Sequence, residues 1–213
     1  MIHSLFEQFV RGMKATTLLE YIAVFTGIIS VWFSKKENIL VYPVGLVNTI
    51  IYIYLSFKYH LLGEAGVNLY YTVMSLWGWW MWSKKNNRRQ PVLHITRSSG
   101  SELAKQLLVF VILYVSVYFL LRYLKESFYE GAIPWADAFA SASAFTGMWL
   151  MAKKKVESWW WWIATNVSSI PLYFVKGLVF TSVYYLVLLI LAIFGLLAWN
   201  RSASAYRQSR NIS

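Results

Sequence analysis

Long apolar runs alternate with short, basic joints along this chain. Seven runs approach the roughly 17–25 residues that a helix needs to cross the hydrocarbon of a bilayer. They cover approximately Thr17–Phe33, Ile39–Phe57, Gly66–Trp82, Leu103–Leu121, Trp135–Met151, Trp159–Phe174 and Leu178–Trp199. None has the strict alternation of a barrel strand. Lipid offers the backbone no hydrogen-bond partner, so a self-satisfying helix is expected in each run. Residues 1–15, MIHSLFEQFVRGMKA, mix charged and apolar positions and predict a short amphipathic helix at the interface. They lack the apolar core and small-residue cleavage site of a signal peptide, so the first span is expected to serve as the insertion signal.

Composition removes the soluble alternatives. Hydrophobic residues make up 58% and charged residues 14% of 213, against roughly 45–50% and about 25% in ordinary globular chains. Aromatics at 19%, with 12 Trp, also exclude a disordered chain. With no Cys, neither a Cys-type zinc site nor a disulfide framework is expected. His3, His60 and His94 fall in a tail or loops, so no intramembrane His pair is expected to hold haem or a metal. No Ser-His-Asp set, phosphate loop or pair of intramembrane acids appears, so no catalytic residue, cofactor or enzyme activity is expected.

The net charge of +11 is distributed as membrane-flanking clusters and not as a nucleic-acid surface. Arg11, Lys14, Lys58, Arg122, Lys125 and Lys176 fall on the side of the N-terminus. The other 14 of the 20 basic residues fall on the opposite side. This bias predicts an outside N-terminus and a cytoplasmic C-terminus for a multi-pass protein. The longest joint, within 83–102, is expected to be a solvated cytoplasmic loop whose basic cluster favours anionic headgroups.

The two ends of the chain echo each other. Phe25-Thr26-Gly27 recurs as Phe145-Thr146-Gly147. Glu37 and Glu157 follow each Thr by 11 residues, then come Asn48 and Asn166. Gly78 and Trp82 are matched by Gly195 and Trp199. The expected organisation is a first three-helix repeat over 16–82, a linking helix over 103–121, a second three-helix repeat over 132–199 and a cytoplasmic tail over 200–213. A three-helix unit ends on the side opposite its start, so a linking span is needed before a parallel repeat can enter. Parallel repeats are a transporter architecture, with substrate held near the midplane between them.

Candidate binding residues follow from polar faces in apolar helices. Trp159, Trp162, Asn166, Ser169 and Tyr173 recur at helical spacing on the sixth span. Indole, amide, hydroxyl and phenol together suit a flat heteroaromatic ring with polar substituents, and a cationic ring gains cation–π attraction of about 0.5–2 kcal/mol. Pro171 is expected to bend this helix. Trp160 and Trp161 lie off the face and read as interfacial aromatics. Asn68, Thr72, Ser75, Trp79 and Trp82 form a second polar face, and Asn48 holds the repeat position of Asn166. Tyr114 and Tyr118, one turn apart on the fourth span, are candidates to close the cavity. Glu20 and Asp137 sit at span starts, where interfacial solvation explains them. No carboxylate lies clearly at mid-depth, which favours passive, facilitated transport over ion coupling.

The pattern Trp159-x-x-Trp162-x-x-x-Asn166 resembles the signature of the PnuC family of vitamin transporters. So do Ser75-Leu76-Trp77-Gly78-Trp79-Trp80-Met81-Trp82 and the run from Ser169-Ile170-Pro171-Leu172-Tyr173 through Lys176-Gly177 to Gly195 and Trp199. The resemblance implies an all-α membrane protein of seven transmembrane helices, arranged three-plus-one-plus-three like full-length SWEET transporters. It also implies a homotrimer in the bacterial inner membrane with one pathway per protomer. The implied substrate is nicotinamide riboside, with uptake driven by intracellular phosphorylation. Thiamine or riboflavin is the alternative cargo within the family. A seven-span sensor that binds the same ligand without moving it is the alternative from another class.

Overall fold

The basic joints marked in the sequence become helix ends. The computed structural model describes residues 2–59, 62–87, 89–127 and 133–212. His60 and Arg88 lie outside them, as do the side chains of His3, Lys125 and Arg210. The helices are α1 (Ile2–Ala15), α2 (Leu18–Lys35), α3 (Val41–Lys58), α4 (Leu62–Ser83), α5 (Gly100–Ser127), α6 (Pro134–Ala152), α7 (Ser158–Val175) and α8 (Val179–Ile212). Among the described residues, β-pairing is confined to two isolated bridges.

Local chemistry fixes the helix ends. Thr17 and Glu20 form a reciprocal cap on α2: the Thr17 amide donates to Glu20 Oε2 at 2.6 Å, and the Glu20 amide to Thr17 Oγ1 at 3.3 Å. Pro134 opens α6, and Asp137 Oδ2 accepts from the Ile133 amide at 2.7 Å. Both carboxylates therefore have cap roles. Left-handed residues reverse the chain after three helices: Glu37 (φ 56°) after α2, Lys154 (φ 52°) after α6 and Gly177 (φ 75°) after α7.

Four helical segments are long and apolar enough to cross a membrane by length and composition alone: Leu18–Lys35, Val41–Lys58, Gly100–Tyr123 and Val179–Ser209. The intervening α4, α6 and α7 are diluted by Trp, Tyr, Asn, Ser and Ala. Packing accounts for this dilution. α2, α3, α4, α6, α7 and α8 touch in that order, and α8 returns to α2, closing a ring. α5 packs on α6 from outside, and α1 packs on α8. With neighbours on three sides, α6 buries Ala138, Ala142, Ser143, Ala144, Thr146 and Gly147, small residues that let backbones approach.

The polarity of the ring is the reverse of a soluble protein. Phe25, Ile50, Phe57, Leu108, Ile112, Phe119 and Phe194 are exposed on its outside. Thr49, Ser56, Ser75, Thr165, Asn166 and Ser169 are buried within. Only an apolar solvent makes this distribution stable.

Two segments differ from expectation. The 83–102 joint is tethered at its far end and not free in solvent. The Thr96 amide donates to the Lys154 carbonyl and the Val156 amide to the Thr96 carbonyl, each at 3.1 Å. Ser98 donates to buried Glu157 from its amide (3.0 and 3.1 Å) and its hydroxyl (2.7 Å). Residues 200–212, in the expected tail, continue α8 as helix, and its 34 residues span about 51 Å at 1.5 Å each. That exceeds the roughly 30 Å hydrocarbon layer. Nothing in Ser202-Ala203-Ser204-Ala205 stops a helix, and Tyr206 stacks on His94 of the joint at 4.4 Å and 11°.

Candidate functional site

The ring is filled at the end that carries the α2–α3 and α6–α7 turns. Val41, Tyr42, Trp82, Ile95, Met151, Val156, Trp159 and Trp199 form one core there. The contacts come in matched pairs. Tyr42 meets Trp82 edge-on at 5.2 Å and 86°, and Trp159 meets Trp199 at 5.5 Å and 89°. Gly78 lies under the Tyr42 ring and Gly195 under the Trp159 ring, each so close that a Cβ would overlap ring atoms. Trp82 Nε1 donates to the Ala152 carbonyl at 3.2 Å, and Trp199 Nε1 to the Ser34 carbonyl at 3.0 Å. Beside this core, in the α6–α7 turn, burial lowers the Lys153 pKa; nearby Lys155 and Lys105 act in the same direction and Glu102 opposes them.

Trp159 belongs to this plug. It is 1% exposed, and its indole N–H has no hydrogen-bond partner among the described residues. Trp199 meets it edge-on and Gly195 lies against its ring, while Trp162, partly buried, packs against the same core. The two side chains share a helix face, but Trp159 is buried in the core while Trp162 is half-buried against it.

The middle of the ring is polar and aromatic. Trp162 is half-buried, lies 6.2 Å from Tyr71 of α4 at 44°, and passes over Gly147 of α6. One turn further, Asn166 is 2% exposed, and its amide forms no hydrogen bond with a described residue. A buried amide normally has partners, so this one is available to a bound molecule or water. Ser169 is buried one turn beyond, within reach of the Tyr185 hydroxyl. Tyr173 stacks on Tyr185 at 5.1 Å and 12°, and Tyr184 meets Tyr185 at 5.6 Å.

Asn48 comes in from α3 and donates to the Ala23 carbonyl at 2.6 Å. Gly27 opposes it: a Cβ there would lie 2.9 Å from the Asn48 amide nitrogen and 2.5 Å from the Tyr184 hydroxyl. Thr72 donates to Thr49 at 2.9 Å, linking α4 to α3. Among the sequence candidates, Trp162, Asn166, Ser169, Tyr173, Asn48 and Thr72 thus lie on the ring helices α3, α4 and α7 below the plug.

Other candidates lie elsewhere. Asn68 donates to the Glu64 carbonyl of its own helix at 2.9 Å. Trp79 is 38% exposed; it sits about 40° around α4 from buried Ser75, enough to turn a large ring outward. Tyr114 and Tyr118 stack along α5 with Phe110, which itself rests on Trp161 at 4.8 Å. They stand outside the ring because α5 packs on α6.

The sequence reading missed Gly27, Tyr52, Tyr71, Tyr184 and Tyr185. The phenols of Tyr52, Tyr71, Tyr173 and Tyr184 lie near that of Tyr185. Tyrosine in an apolar run gives little periodic signal, since it suits a lipid interface as well as an interior. Gly27 carried one signal, its place in the repeated Phe-Thr-Gly.

The family model described as "Nicotinamide mononucleotide transporter" matches residues 17–201. The chain is 22% identical to the nicotinamide riboside transporter PnuC of Escherichia coli (strain K12), over 92% of this chain and 90% of that one. It is 21% identical to the riboflavin/roseoflavin transporter RibM of Streptomyces davaonensis, over 81% and 80%. Its fold is similar to a crystal structure of the vitamin B3 transporter PnuC, with a TM-score of 0.67 and 23% identity over 96% of this chain and 90% of that one. The family model spans α2 to α7 and the apolar part of α8, and on it this chain belongs to the PnuC family of membrane transporters.

Proposed function

We propose that the chain is a facilitator (uniporter) of nicotinamide riboside. The observation that carries this reading is the unpartnered Asn166 amide one helical turn from Trp162. An indole face and a free amide match a pyridinium ring that bears a carboxamide and a ribose. In this reading Trp162 stacks the ring, with cation–π attraction of about 0.5–2 kcal/mol. Asn166 and Asn48 hydrogen-bond the carboxamide or ribose. Thr72, Ser169, Tyr173 and the Tyr71, Tyr184 and Tyr185 phenols complete the pocket.

The reading extends to architecture. Seven helices cross the membrane as three-plus-one-plus-three parallel repeats of SWEET-like form, with α5 as the linking span. The symmetric order of ring contacts and the matched Tyr42–Trp82 and Trp159–Trp199 pairs support this. The repeats rock around the central site in alternating access. The N-terminus lies outside and the C-terminus in the cytoplasm of a bacterial inner membrane, as the charge bias supports. Phosphorylation inside the cell makes uptake one-way, and the protein assembles as a homotrimer. Both features rest on the family resemblance. Likeness to RibM supports riboflavin as a second cargo within the same site plan.

The test is uptake by proteoliposomes with labelled nicotinamide riboside, thiamine and riboflavin in turn. Nicotinamide riboside should equilibrate without an imposed gradient, and the Trp162→Ala/Asn166→Ala double variant should not carry it. Undiminished flux in that variant overturns the site. A requirement for a proton or sodium gradient overturns uniport. Saturable binding without flux identifies a sensor.

A further inference from the structure

We propose that Glu37 and Lys154 are the latch of a gate that closes the pathway at its plugged end. The inference rests on the alternating-access reading above. Glu37 sits in the turn between α2 and α3, and Lys154 in the turn between α6 and α7. In the order of ring contacts these two turns lie opposite each other, so a bond between them crosses the mouth. Lys154 Nζ meets Glu37 Oε1 at 2.6 Å. The two other ion pairs described, Lys155–Glu102 and Lys176–Asp137, stay within the later part of the chain and cross nothing.

The geometry is specialised at both ends of the bond. Each residue holds a left-handed backbone, φ 56° and φ 52°, which non-glycine residues rarely adopt. The Lys154 side chain is 5% exposed, with its ammonium 4.5 Å from the centre of the Trp82 ring. The Glu37 side chain is 37% exposed and can rehydrate as it leaves. A pair buried on one side and wet on the other is weak enough to open and still directional. Immediately beneath, Ser34 of α2 donates to Met151 of α6 at 2.9 Å across the same seam. Releasing substrate on this side requires α2 and α6 to part, which breaks the Ser34–Met151 contact and the latch together.

The chain has no cysteine, so one introduced thiol reports alone. Ser34 is 3% exposed, and Ser34→Cys is nearly isosteric. Purified Ser34→Cys protein is treated with a bulky, water-soluble maleimide and its labelling rate is measured. Adding Glu37→Gln with Lys154→Met, which leaves no unpaired charge, should raise that rate about fivefold. The swap Glu37→Lys with Lys154→Glu should return it toward the parent rate. Glu37→Asp keeps both charges and shortens the reach, and should give an intermediate rate in a protein that folds normally. Parent-like labelling of the neutral pair and of Glu37→Asp overturns the latch. So does a swap that labels as fast as the neutral pair. Labelling needs no substrate, so the latch can fail while nicotinamide riboside is still carried, and it can hold if another vitamin is the cargo.

Discussion

Trp159 and Trp162 stand three residues apart on α7 and are buried to different depths. The first is locked edge-on to Trp199 in a dense aromatic plug. The second is half-buried beside Tyr71, facing a middle zone of amides, hydroxyls and phenols. The plug spends its indoles on packing, and two of them also donate hydrogen bonds that tie α4 to α6 and α8 to α2. The middle zone buries Asn166, whose amide makes no hydrogen bond with a described residue. One zone holds the bundle together, and the other is where the proposed binding site lies. The same residue type therefore has opposite consequences according to its depth in the ring.

Truncating the two indoles should separate the zones most strongly. Trp159→Ala should cost about 3–5 kcal/mol of stability, read as a large drop in thermal midpoint in detergent. Trp162→Ala should leave that midpoint nearly unchanged and remove vitamin binding by calorimetry. The reverse pattern would mean the two zones have been assigned the wrong roles. Next, Gly27→Ala sets a methyl group against Tyr184 and Asn48. Overpacking of this kind costs about 1–3 kcal/mol, and here it should appear mainly as weaker binding. Asn166→Ala should weaken binding by about 1 kcal/mol, near the net value of one hydrogen bond, at constant thermal midpoint. Ser98→Ala removes a hydroxyl that donates to Glu157 and accepts from Gln106. It should cost about 1 kcal/mol and speed proteolysis of the joint before α5, with binding unaltered. Trp79→Ala and Tyr114→Ala, outside the middle zone, should change binding by less than about 0.5 kcal/mol.

Helix positions were readable because each α-helix satisfies its own backbone and advertises its ends. Thr17 with Glu20, Pro134 and the turns after Lys35 and Ala152 are local signals, and each became a helix boundary. The helical continuation of α8 was not legible because charge marks a membrane boundary and does not stop a helix. Arg201 ends the apolar run while the helix continues to Ile212. The anchoring of the joint was not legible for a related reason. Ile95 and Ser98 look like loop residues until the α6–α7 turn supplies the backbone groups and the Glu157 carboxylate that hold them.

At the site, the Trp162–Asn166 spacing was readable from the 3.6-residue period alone. The phenols of Tyr71, Tyr184 and Tyr185 were not, since their role depends on α4 and α8 turning toward the same interior. Periodicity identifies a shared face but not its depth or its opposing neighbour, which is why Trp159 and Trp162 looked equivalent.

The order of apolar runs, the helical periods and the caps determined that this chain makes helices with lipid-facing exteriors, because those properties depend on each residue and its near neighbours. Ring closure, the packing of Tyr42, Trp82, Trp159 and Trp199 at one end, and the burial of an Asn166 amide with no hydrogen bond to a described residue were decided only by the tertiary structure. They arise from contacts between residues far apart in the chain, and their energies exist only once those residues meet.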